Sequence, residues 1–355
     1  MDPSWLRKRF HDGLHYRLRT FAGGRLAAHC LPCSIIFLLT ERCNARCVHC
    51  DIWKNKGKED SPTQEQWQTV LGDLRRWLGR MQVAFSGGEA LLRPYTVDLV
   101  RYSRSIGLFP EVLTHGWWED QSRIEQLALA DPWRITVSLD GLGKTHDLVR
   151  GREGFFEKTS RSLDTLKRVR KDGKLRYSVC LKTVIMEHNL ETVPDMALFA
   201  RDNGFDIFYQ PIEQNYNTLE DALWYEHSEN WPKDARKVTE IIGRLIEMKR
   251  QGLPILNSMD QLETMIAYFG NPAASRISVQ AHTAHERRRV CSALTTLQFQ
   301  ANGDVTVCSG LAPVGNVKQA PIRQIWERRP RVWESGCCLE HRLTDAERRA
   351  LPVVS

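Results

Sequence analysis

The sequence predicts an α/β fold built on parallel strands. Short apolar runs rich in β-branched and aromatic residues alternate six times with amphipathic stretches between residues 34 and 215. The segments joining successive runs have helical periodicity, as right-handed crossovers require. Polar residues recur where the runs end: Thr114-His115-Gly116, Ser138, Asp140, Lys182 and Gln210. Strand ends are where parallel α/β proteins place their chemistry. Six units are too few to close an eight-stranded barrel.

Composition sets the outer limits. A chain of 355 residues suits one large domain with a smaller appendage, and 42% apolar residues supply an ordinary core. No apolar run approaches the ~18 residues of a membrane span. The basic N-terminal segment lacks the apolar stretch of a signal peptide. Ten cysteines without export signals point to a reducing, cytoplasmic setting in which thiols bind metal rather than form disulfides. A net charge of +7 permits an anionic substrate but is too small to argue for nucleic acid.

In chain order, residues 1–33 place Trp5, Leu6, Phe10, Leu14, Leu18 and Phe21 at roughly helical spacing among arginines. This predicts a basic helical extension that either caps the barrel or rests on an anionic membrane surface. Cys30-Leu-Pro-Cys33 follows, a pair suited to redox chemistry, metal ligation or simple burial. Ser34–Leu39 reads as the first strand. Directly after it come Cys43, Cys47 and Cys50, spaced C-x3-C-x2-C. Three thiolates in one compact loop can hold three irons of a cubane and leave the fourth open. A zinc site with a distant fourth ligand, or three unrelated buried thiols, uses the same residues.

Ser61-Pro62-Thr63 opens the first helix with cap chemistry, and Trp67, Val70, Leu71, Leu74 and Leu78 form its apolar stripe. A second strand, Met81–Phe85, leads into Gly87-Gly88-Glu89, where adjacent glycines let backbone approach a ligand. Helix Tyr95–Ile106, strand Phe109–Leu113, helix Gln121–Ala130 and strand Trp133–Leu139 follow. Helix Phe155–Arg170, strand Arg176–Val184, helix Leu190–Asn203 and strand Asp206–Pro211 complete the series. Beyond it, Val238, Ile241, Ile242, Leu245 and Ile246 mark a helix, and another spans Met259–Phe269. Tyr209, Tyr216, Trp224 and Tyr225 are either core or pocket lining. In the tail, two β-rich runs joined through Asn302-Gly303 predict a hairpin, with Cys291 before it and Cys308 at its far end. A helix around Ile322–Trp326 and the vicinal pair Cys337-Cys338 come last.

The ordered motifs resemble the radical S-adenosylmethionine (SAM) superfamily, and the tail resembles its SPASM/twitch auxiliary-cluster extension. The resemblance implies an open (β/α)6 partial TIM barrel over residues 34–215, a helical connection over 216–285, and a small α+β auxiliary-cluster domain over 286–355. It implies a [4Fe–4S] cluster with an open iron on Cys43, Cys47 and Cys50, with His49 packing on the adenine of SAM. Gly87, Gly88 and Glu89 would bind the SAM amino group, although Ala90 replaces the usual proline. Ser138 would contact ribose or carboxylate, with Asp140 and Gln210 as further cofactor contacts. Arg150 would pair with the carboxylate of SAM or substrate, and His115 stands where relatives often have Asn. One auxiliary Fe–S cluster would rest on Cys291 and Cys308 with Cys337 or Cys338, while Cys30 and Cys33 remain candidates.

The implied activity is reductive cleavage of SAM to a 5′-deoxyadenosyl radical that abstracts hydrogen from substrate, with a flavodoxin or ferredoxin as electron source. The expected substrate is a small molecule (a sugar, nucleotide or lipid precursor) undergoing oxidation. Maturation of a ribosomally made peptide is the alternative. A two-cluster electron carrier explains the cysteines but leaves Gly87-Gly88-Glu89 without a purpose.

Overall fold

A computed structural model describes residues 29–55, 60–215, 221, 223–272, 291–308 and 311–331. The N-terminal extension up to residue 28, Tyr216 and the Cys337-Cys338 pair therefore lie outside the described residues. The chain divides into two compact units, one of residues 1–41, 57–111 and 276–355, the other of residues 42–56 and 112–275.

In the first unit, β1 (Ser34–Leu38) lies between two parallel neighbours. One is β2 (Gln82–Ser86), in register Ile36↔Ala84. The other comes from the tail: β7 (Thr296–Phe299) pairs with β1 from Ser34↔Thr296 to Phe37↔Phe299. The expected hairpin continues from it, β7 pairing antiparallel with β8 (Asp304–Thr306), and β8 with the two-residue β9 (Gly315–Asn316). Alternation along β1 turns Ile35 and Phe37 inward. Phe37 stacks on Phe299 at 4.4 Å and meets the edge of Trp67 at 5.4 Å, all three rings fully buried. Trp67 belongs to α1 (Gln64–Leu78), which starts in a reciprocal cap: Thr63 N–H donates to Gln66 Oε1 and Gln66 N–H to Thr63 Oγ1. Next in chain order come α2 (Thr96–Ser105) and β3 (Phe109–Thr114), which runs across the division between the units. Near the other end of this unit's chain, α10 (Ile322–Glu327) packs on α1.

The second unit contains β4 (Arg134–Ser138), β5 (Ser178–Ile185) and β6 (Asp206–Pro211), paired parallel in that order. The helices between strands are α3 (Ser122–Leu129), α5 (Phe155–Asp172) and α6 (Val193–Asn203). A helix falls where none is anticipated, α4 (Lys144–Arg150), which ends at Gly151 with φ +67°. It is short and carries no sustained apolar stripe, so periodicity does not announce it. After β6 come the single turn α7 (Trp224–His227), α8 (Ala235–Arg250) and α9 (Met259–Gly270), the last two packed together. No described helix is long and apolar enough to cross a membrane.

Candidate active site

The three-cysteine loop belongs to the second unit and is held there by backbone. A helix leaves its last carbonyls without internal partners. At the end of α4 two of these are taken by the loop: Arg46 N–H donates to Arg150 O at 3.2 Å and Val48 N–H to Val149 O at 3.0 Å. Asn230 Nδ2 donates to Val48 O at 3.1 Å from the far side of the unit's sequence. Gly151 makes this approach possible, since a Cβ there would sit 2.1 Å from Arg46 O. Cys47 is buried with Ala45 and Phe155, and half-buried Cys43, Cys50 and Trp117 pack against them.

Beneath the loop lies a fixed electrostatic pair. Arg150 and Asp140 are 6% and 0% exposed, with Arg150 Nη2 2.5 Å from Asp140 Oδ2. Burial opposes the carboxylate most strongly, but the Arg150 guanidinium, His49, His146 and the Val184 N–H together outweigh it and hold Asp140 below its usual range. Asp140 Oδ1 also accepts from Val184 N–H at 2.9 Å. The remaining arm of the guanidinium reaches the loop, Nη1 donating to Cys47 Sγ at 3.4 Å. Arg150 thus spends both arms on this chain's own groups, where the sequence suggests a ligand carboxylate.

Two buried histidines complete the surroundings. His115 Nδ1 accepts from Trp117 N–H at 2.9 Å, so the proton sits on Nε2, 2.7 Å from Asn44 Oδ1. His146 Nδ1 accepts from Asp140 N–H at 3.1 Å. Burial first, then the nearby guanidinium, pushes both rings down to about 3, so both are neutral at ordinary pH.

The other predicted residues have local roles of their own. Gly87, Gly88 and Glu89 belong to the first unit. There Gly88 N–H donates to Thr40 O at 2.8 Å, and Gly87 (φ +132°) leaves no room for a Cβ, which would fall 2.2 Å from that oxygen. Glu89 is 1% exposed and accepts from Leu91 N–H at 3.0 Å. Ser138, half-buried, ends β4 opposite Lys182. Gln210 lines a cavity of about 340 Å³ with Asn257, Asp260 and Met265. Tyr209 is core, its hydroxyl donating to Val193 O at 3.0 Å. Trp224 lines a second cavity of about 390 Å³ together with Glu213, Asp221, Glu229 and Asn230. Cys291 and Cys308, both half-buried, are in the first unit.

Sequence reading missed the asparagines. Asn44 partners His115, Asn230 clamps the loop, and Asn189 Nδ2 bonds both Asp140 O and Val184 O at 2.7 Å. Only Asn44 carries a signal, by lying between the cysteines.

The residues can be tested against an iron–sulfur cluster. Among the buried polar side-chain atoms of the described residues that lack a hydrogen-bond partner are His49 Nδ1, Arg150 Nε and His146 Nε2. Such atoms are costly to leave unmet, and a polar ligand beside the loop would relieve them. A mononuclear site gathers its donors on one ion, and no group of three His, Cys, Asp or Glu does so among the described residues. A cubane gives each thiolate its own iron, so three separate thiols on one loop are a donor set of the right kind.

An α/β protein with a three-thiol loop seated on a buried Arg–Asp pair is, as a class, a candidate metallocluster enzyme. Residues 37–200 match the family model of the radical SAM superfamily, and the relatives matched over most of this chain's length are enzymes. The family implies a [4Fe–4S] cluster and SAM. The chain is 27% identical over 315 residues to an AdoMet-dependent heme synthase of Methanosarcina barkeri, covering 83% of this chain and 82% of that protein. It is 28% identical to a pre-heme d1 synthase of Dinoroseobacter shibae, covering 85% and 78%. With a PqqA peptide cyclase of Rhodopseudomonas palustris it shares 31% identity, covering 48% and 44%. In fold it resembles Streptococcus suis SuiB bound to precursor peptide SuiA, at TM-score 0.62 and 15% identity, covering 85% of this chain and 66% of that one. It also resembles anSMEcpe with bound AdoMet and Kp18Cys peptide, at TM-score 0.58 and 16% identity, covering 84% and 81%. The fold is an open, partial TIM barrel like that of radical SAM enzymes.

Proposed function

We propose that Cys43, Cys47 and Cys50 hold the [4Fe–4S] cluster and that the enzyme matures a peptide by radical oxidation. The observation carrying the site is the seating of Cys47 on the Arg150–Asp140 pair. When bound, the cluster and SAM supply an electron and a carbon-centred radical able to take an unactivated hydrogen. The protein's part is orientation and exclusion of water. The α4 carbonyls fix the loop, and Arg150 offers positive charge to one thiolate. Ala45, Phe155 and Trp117 shield the sulfurs. Gly87-Gly88-Glu89, His49, Ser138, Asp140 and Gln210 are assigned to SAM by their positions in the motifs.

For the substrate, the similarities to a PqqA peptide cyclase and to SuiB support a peptide better than a sugar, nucleotide or lipid precursor. The cavity rimmed by Glu213, Asp221 and Glu229 shares Asn230 with the cysteine loop and suits a cationic side chain. A heme-type macrocycle is the second reading, favoured by the length over which the chain matches heme synthases. A flavodoxin or ferredoxin is assigned as reductant, and a second cluster is placed on Cys291 and Cys308.

The test is anaerobic reconstitution followed by dithionite, SAM and a 5′-deoxyadenosine assay. The Cys43→Ala, Cys47→Ala, Cys50→Ala triple variant is expected to form none, and surviving cleavage would refute the site. Deuterated lysine- and arginine-containing peptides are expected to pass deuterium into 5′-deoxyadenosine. Transfer from a deuterated iron porphyrin alone would establish the second reading.

A further inference from the structure

The pair Cys30 and Cys33 is used by nothing described above. Its place in the first unit is set by three strands. Cys33 N–H and Ser34 N–H both donate to Thr295 O, at 2.8 and 3.0 Å, and Ser34 pairs with Thr296 at the start of β7. On the other side of β7, Gln298 pairs with Thr306, so continuing that antiparallel register sets Cys308 opposite Thr296. Cys291 begins the turn that feeds β7, its carbonyl accepting from Leu294 N–H at 3.2 Å. Residues far apart in sequence therefore meet at one end of this unit's sheet, across strands spaced ~4.8 Å apart.

The segment ending α10 ties two of these cysteines together. Trp326 Nε1 donates to Cys30 O at 3.0 Å, and Arg329 Nε donates to Ala293 O, two residues past Cys291, at 2.9 Å. Arg329 is 5% exposed.

We propose that Cys30 and Cys33 join Cys291 and Cys308 as the four ligands of the second iron–sulfur cluster, leaving Cys337 and Cys338 outside it. Four thiolates complete the shell of a cubane, so this cluster has no open iron and serves electron transfer rather than ligand binding. The inference rests on the reading that a second cluster exists, and its test separates the two.

Wild type, Cys30→Ala/Cys33→Ala, Cys291→Ala/Cys308→Ala and Cys337→Ala/Cys338→Ala are reconstituted anaerobically, and iron and sulfide are counted per chain. The first two variants are each expected to lose about half of the wild-type iron, and the third none. Iron retained by Cys30→Ala/Cys33→Ala but lost from Cys291→Ala/Cys308→Ala would overturn the ligand assignment while keeping the second cluster. Iron retained by both would remove the second cluster itself. Should the first variant fail to fold, iodoacetamide mapping of loaded wild type decides. Cys33 is exposed, so its expected resistance to alkylation, lost on iron chelation, supports ligation. Prompt alkylation of Cys33 in fully loaded protein overturns it.

Discussion

At the scale of single residues, Arg150 and Asp140 carry the sharpest consequences. A donor and a positive charge at a cluster thiolate stabilise the reduced, more negative state. Arg150→Gln is expected to make the loop's cluster about tenfold harder to reduce, a fall of about 59 mV for one electron. Asp140→Asn removes the compensating negative charge and is expected to shift the potential the other way. A redox titration followed by electron paramagnetic resonance reads both, and a shift of the same sign in the two variants would refute the electrostatic role. His115 gives a pH prediction. Its folded value, about 3, lies below the ~6.5 of an unfolded histidine. Above pH 6.5 both states are neutral and nothing is gained or lost. As pH falls below 6.5 the unfolded chain alone takes the proton, and stability declines. His146 behaves alike, so apo-protein is expected to lose about 3–4 kcal/mol between pH 7 and 5 from the two rings. His115→Asn, which still offers an acceptor to Trp117 and a donor to Asn44, should remove about half of that slope in denaturant melts. The C-x3-C-x2-C spacing on which the cluster proposal rests was legible because it is local in the sequence. The Arg150–Cys47 contact was not, because a residue 103 positions away leaves no local pattern.

At the scale of elements, the junction of α4 with the cysteine loop is the feature most exposed to mutation. Gly151→Ala puts a methyl group against Arg46 O at a positive φ, so the loop or the helix end has to shift. The expected cost is about 2 kcal/mol or more, with reduced iron on the loop but not on the tail. Calorimetry and iron counts of the triple-cysteine background separate these effects. Strands and long helices were readable from periodicity: β6 and the cap of α1 fall where apolar pattern and Thr63 place them. α4 escaped because seven residues give under two turns of pattern. β7 was readable as a hairpin strand, but its parallel seat beside β1 was not, since pairing partners are chosen by burial of Phe299 against Phe37 rather than by local sequence.

At the scale of the molecule, six βα repeats were legible as a fold class because alternation survives without knowledge of packing. The substrate was not legible, because the stretch after β6 that lines the cavity at Trp224 carries no periodic signature. One consequence of the β1–β7 pairing concerns the order of folding. The two strands are separated by more than 250 residues of sequence, and most of the second unit, residues 112–275, lies between them in the chain. Contacts so distant in sequence form late, since their loop entropy is lost before they are rewarded. On a ribosome, β4–β6 and the cysteine loop emerge whole before β7 exists, and domains fold as they emerge. Pulse-labelled hydrogen exchange during refolding is expected to protect amides of β4–β6 before those of β1. For that interval β1 lacks one of its two neighbours, an unpaired apolar edge, and Ile35–Phe37 becomes the segment through which a slow-folding chain would aggregate.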